Sequence, residues 1–155
     1  MTLKFRTKAA CRIAGISAQR FNELVADGTY ECAPATKAGA ARVFEEADIA
    51  GLLVFGHMMR VFSEHRFSSK IAVIYACGLV EVFRRHGDTL PARADFPLDG
   101  FNDVAVECED DEPPAYSAYE GVRAPSATIC FDLHEIRKAV RRGMREEAQI
   151  LGEED

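Results

Sequence analysis

Apolar residues recur with helical spacing over most of the chain, and the first clear instance is Thr7–Gly28. Ala9, Ala10, Ile13 and Ala14 share one face of a short helix, with Lys8 and Arg12 on the other. Thr7 is the expected N-cap, and Gly15 the expected stop, because glycine takes the left-handed conformation without a steric penalty. Ile16 is placed to fill the corner and Ser17 to cap a second helix, in which Ala18, Phe21, Leu24 and Val25 recur on the inner face until Gly28 ends it. Gln19, Asn22, Glu23 and Ala26 are left outward, with Arg20 on the flank. Two helices around a glycine turn, the second presenting amides, form the helix-turn-helix pattern. The same pattern also occurs in helical hairpins that bind nothing.

Further along, Leu3–Arg6 reads as a short strand or an extended arm. Pro34 and Gly39 forbid a continuous helix after the hairpin. Extended pieces around 30–33 and 41–44 are expected to pair as a β-wing, with Lys37 at its tip and Arg42 on the returning strand; an irregular loop is the alternative. A helix starts at Glu45–Glu46, where acids suit the positive helix end, with Ile49, Leu52, Leu53, Met59 and Phe62 inward, and closes near Ser63–Phe67. The next helix spans about 69–86, capped by Ser68 or Ser69. Its Ile71–Phe83 stretch is apolar nearly all round except for Glu81, which points to the centre of the fold or a subunit interface. From Gly87 to about Asp103 no period survives. Strands are expected at Val104–Cys108 and Thr128–Phe131, separated by an acidic, proline-broken loop. Asp132 and Glu135 form a capping box that opens a last helix reaching about Ile150. That helix carries a narrow stripe of Leu133, Ile136, Val140 and Met144 among Arg137, Lys138, Arg141, Arg142 and Arg145, either a solvated face or a second contact for DNA or a partner.

Composition sharpens this picture in one respect. The net charge is −6, yet residues 1–44 hold seven Lys/Arg against three Asp/Glu, so the remaining residues carry −10. A basic N-terminal segment on an acidic body is the distribution of a local DNA-binding module. The five cysteines form no CxxC and no zinc-knuckle spacing, so no disulfide and no metal site are expected. No apolar leader is visible and the longest apolar run, Ile71–Val80, is too short to span a bilayer, which predicts a reduced, cytoplasmic protein without membrane contact. His57, His65, His86 and His134 match no metalloprotease spacing, and GxSxG, P-loop and GxGxxG motifs are missing, so neither an enzyme nor a cofactor is expected.

The run AACRIAGIS, the interval Gly15–Gly28, the loop holding Gly39, and Arg42-Val43-Phe44 before an acidic helix start together resemble the MerR-type winged helix-turn-helix, the module also found in small excisionase-like phage proteins. The resemblance covers about residues 3–62. It implies a wing closed onto the following helix by the Arg-x-aromatic element. It departs from the family at Asn22-Glu23-Leu24, where an Arg-aromatic-aromatic core is usual; Arg20 is the nearest substitute.

The expected fold is therefore mainly α with a small β-wing: a winged helix-turn-helix at 1–62, then a helical assembly or effector region at 63–155 with an irregular acidic segment at about 87–126. Gln19 and Asn22 suit adenine in the major groove, and Glu23 can accept from cytosine or orient Arg20. Ser17 suits a phosphate at the helix start, while Lys8, Arg12, Lys37 and Arg42 suit the backbone. Arg42 has a rival role, pairing with Glu45 or Asp48 to lock the wing. The functional expectation is a transcriptional regulator reading double-stranded DNA as a homodimer, with the recognition helix at about 18–27 and the wing at about 30–44. No small-molecule effector can be named. The rival is a protein-interaction adaptor of phage or mobile-element type.

Overall fold

The structure is a computed structural model that describes residues 3–36, 40–61, 69–97, 106–108 and 128–153. In chain order these form β1 (Phe5–Arg6), α1 (Thr7–Ala14), α2 (Ala18–Ala26), β2 (Val43–Phe44), α3 (Glu46–Val61), α4 (Ser69–His86), β3 (Arg93–Pro97), β4 (Val106–Cys108), β5 (Thr128–Asp132) and α5 (Leu133–Glu153). The protein is mainly helical, with small antiparallel sheets.

Helix α3 is the element on which α1, α4 and α5 pack. Ile49, Ala50, Leu52, Val54, Phe55 and Met58 are buried around most of its circumference, whereas Leu53 and Met59 are half-buried. Glycines set how closely its neighbours approach. A Cβ on Gly51 would lie 2.4 Å from Val80 Cγ2 and 3.0 Å from the Ala76 carbonyl oxygen of α4; one on Gly56 would lie 2.5 Å from Ile16 Cγ2, the corner of the helical hairpin. The sequence pointed to α4 as the centre or an interface. The central place goes to α3, while α4 buries one broad face against it and leaves Ile71 and Ile74 each 40% exposed.

The hairpin forms as its spacing predicts. Gly15 adopts φ 66° and its N–H closes α1. Ser17 caps α2 by accepting the Arg20 N–H at 3.4 Å, and Gly28 follows α2 at φ 76°. Thr7 is not the cap: it is the first helical residue, and Arg6 at the cap position makes no side-chain bond.

The expected wing hairpin does not form from 30–33 and 41–44. Residues 30–33 make a turn, and Val43–Phe44 pairs antiparallel with Phe5–Arg6 instead, Phe5 opposite Phe44. The reason lies in the core. Pairing those strands buries both phenylalanines, while Tyr30 is drawn inward by edge-on packing with Phe21 (5.4 Å) and Phe55 (5.6 Å). Cys32 then bonds to Cys77 of α4, with Cα atoms 5.5 Å apart, which corrects the expectation of no disulfide. Their separation of 45 residues carries no motif, so only the packing of the 29–33 turn on α4 reveals the pair.

The second sheet has the order β4-β3-β5. Its central strand falls where the sequence loses its period. Ala94, Asp95 and Phe96 are all buried, so the in-and-out alternation of a half-exposed strand is missing. Phe96 and Phe131 pack around Tyr75 of α4. Asp132 accepts the Glu135 N–H at 2.9 Å, but Glu135 bonds Lys138 and does not reach back to complete the capping box. Leu133, Val140 and Met144 of α5 are buried and Ile136 half-buried. Gly143 lets Ile13 of α1 approach, since a Cβ there would meet Ile13 Cγ2 at 2.6 Å. Arg137 and Arg141 both hold Glu46 of α3, at 2.7 and 2.9 Å. No helix among the described residues is long and apolar enough to cross a membrane.

Candidate nucleic-acid interface

The outer face of α2 and the first turn of α1 enclose a shallow, open groove lined by Thr7, Lys8, Ala18, Gln19, Asn22, Glu23 and Ala26. The periodicity puts these residues there. Phe21 and Leu24 are buried, so positions 19, 22, 23 and 26 turn outward. Four of the residues named from sequence thus meet on one surface: Lys8, Gln19, Asn22 and Glu23. Asn22 and Lys8 are exposed and have no hydrogen-bond or ion-pair partner among the described residues.

The others stand differently. Glu23 takes a hydrogen bond from Gln19 (3.1 Å) and an ion pair from Arg20 (3.4 Å), so it neutralises part of the face it shares. Ser17 is engaged as the cap of α2, at the end where backbone N–H groups point outward. Arg12 turns its guanidinium to Glu147 of α5, bonding both carboxylate oxygens through Nε at 3.0 and 3.2 Å. Glu147 is 5% exposed at its side chain and Arg12 54%, so this is an ion pair with one partner inside the protein. Arg42 donates to the Pro34 carbonyl and ties the 34–42 loop across its own base. It bonds neither Glu45, which pairs with Lys4 at 2.9 Å, nor Asp48, which holds Arg84 of α4 at 2.6 Å and the Glu45 N–H at 2.8 Å. Lys37 lies outside the described residues.

Two further residues stand at or near this face. Thr7 was assigned to capping but lines the groove. Arg6 is exposed on β1 opposite Val43, and the alternation Phe5 in, Arg6 out was the signal for it.

A second cleft, of about 570 Å³, lies between α3, α4 and α5 and collects Arg84, Arg137, Arg141 and Arg145. Three of these four already hold Asp48, Glu46 or Asp88. Among the described residues no group of three or more His, Cys, Asp or Glu is placed to hold a metal ion. Burial pushes the Cys11 thiol up to about 11, and it raises Tyr30, whose buried hydroxyl has no hydrogen-bond partner among the described residues. No family model matches the chain, and none of the curated proteins matches it significantly.

Proposed function

We propose that the chain is a sequence-specific DNA-binding regulator of winged helix-turn-helix type, with α2 entering the major groove. The observation that carries this reading is the groove itself. Asn22 and Gln19, side chains able to make paired hydrogen bonds to adenine, share an exposed face with the unpaired ammonium of Lys8. The start of α2 adds N–H groups suited to a phosphate, and the β1–β2 ribbon, with Arg6 and Val43 exposed, is the proposed wing. A single module of this size offers about 600–1,000 Å² to DNA, little for specific binding, so two copies on neighbouring half-sites belong to the proposal. Of the two faces expected to pair the copies, the stripe on α5 is largely buried within one chain, while the Ile71–Phe83 stretch keeps Ile71 and Ile74 exposed for such a contact.

Genomic footprinting followed by fluorescence anisotropy across a salt series tests the reading. Asn22→Ala should cost about 1–3 kcal/mol on the best site and relax preference at one base pair. Lys8→Ala should weaken binding to every sequence and reduce the salt slope by about one unit. Indifference of both variants on specific and scrambled DNA would remove α2 as the reader. The adaptor alternative would then be preferred, and one observation already favours it: Glu23 occupies Gln19 and Arg20, leaving a face of low net charge suited to a protein partner.

A further inference from the structure

On a different face, the turn after α2 and the outer side of α4 bound a cleft of about 580 Å³. Its floor is aliphatic, formed by Val73 and Ile74, the latter 40% exposed, with Gly78 leaving the next turn open. Its rim carries the carboxylates of Asp27, Glu31 and Glu81 against the single ammonium of Lys70, a net charge of −2. Glu31 and Glu81 have no cationic partner among the described residues. Asp27 stays below the usual carboxylate range because Thr29 donates to it, so the negative charge persists in mildly acidic solution. The Cys32–Cys77 bond ties the turn to the helix and holds the two walls in register. Three carboxylates against one ammonium repel a phosphate backbone, so this is not a nucleic-acid surface. An aliphatic floor within an acidic rim is instead complementary to apolar side chains flanked by Lys or Arg.

We infer that this cleft docks a cationic amphipathic segment of a protein partner, its aliphatic side chains over Ile74 and Gly78 and its cations against Glu31, Glu81 and Asp27. The inference stands whether or not α2 reads DNA, since the two surfaces share no residue. The probes are a short amphipathic Leu/Lys peptide and its Leu/Glu counterpart, titrated into the isotope-labelled full chain and followed by amide NMR. The Leu/Lys peptide should shift resonances of 27–31 and 70–81, and the Leu/Glu peptide should shift none. Glu81→Lys and Glu31→Lys should each weaken binding about tenfold, the order expected for one charge-assisted contact. Ile74→Ser, at an exposed position, should weaken it similarly without unfolding the chain. Glu146→Lys, exposed on α5, should change nothing. Shifts scattered over the whole acidic surface, or an equal effect of Glu146→Lys, would overturn the inference. So would self-association that excludes the peptide and is abolished by Ile74→Ser, which would make a second copy the occupant.

Discussion

Arg12 shows how one residue can satisfy a sequence pattern and still serve another purpose. Its place on α1, four positions after Lys8, is that of a phosphate contact, yet Glu147 claims the guanidinium. A carboxylate this buried is costly without a counter-charge, so the pair is structural whatever else Arg12 touches. Arg12→Ala should therefore lower stability by about 3 kcal/mol, the low end for breaking a buried pair because Arg12 itself reaches solvent. Replacing both partners, Arg12→Met with Glu147→Leu, should recover most of the loss. Urea denaturation of the two variants beside the parent checks this. A stable Arg12→Ala protein with a reduced salt slope would return the residue to DNA contact. Asn22 and Lys8 differ from Arg12 in having no hydrogen-bond or ion-pair partner among the described residues, which is why the proposed reading assigns the DNA contacts to them.

At the scale of elements, small residues decide which helix is central. Both α3 and α4 are apolar enough to be the hub. Gly51 brings α4 close to α3, and Gly56 seats the hairpin corner through Ile16. Gly51→Ala places a methyl group against Val80 and the Ala76 backbone; a side chain can rotate away, but a helix backbone cannot. The variant should be destabilised by about 1–3 kcal/mol despite alanine's better helix propensity. Thermal unfolding reads this directly, and an unchanged or raised midpoint would show that α3 and α4 can separate without cost. The three-stranded sheet follows the same logic: β3 is central, so its consecutive residues Ala94, Asp95 and Phe96 are all buried and its sequence reads as irregular.

For the molecule as a whole, the disulfide joins the segment after α2 to α4, which packs along the central helix α3. Closing 45 residues of chain constrains the unfolded state, for which the chain-entropy model gives about 4 kcal/mol. Reduction with dithiothreitol, or the Cys32→Ser/Cys77→Ser double variant, should lower the unfolding free energy by about 2–4 kcal/mol. Mass spectrometry of the alkylated native protein should find Cys11 protected, since it is buried and its thiol is held protonated. Equal stability with and without reductant would mean that the 29–36 turn is held by Tyr30 and the Arg42–Pro34 contact alone.

The sequence by itself determined what depends on local periodicity and backbone freedom. The two short helices and their Gly15 and Gly28 ends, the Ser17 cap, the span of α4, the start and stripe of α5 and the outward set Gln19, Asn22 and Glu23 are all legible there. Each follows from spacing within one or two turns, or from which residue tolerates a left-handed backbone. The tertiary structure alone decided which strand partners β2, which helix becomes the hub, that Cys32 meets Cys77, and that Arg12 and Arg42 turn inward to Glu147 and Pro34. These outcomes depend on contacts between distant segments competing for one core. Periodicity says which face of an element must be covered, and the competition among the faces, settled by volume, charge and close approach at glycine, says by what.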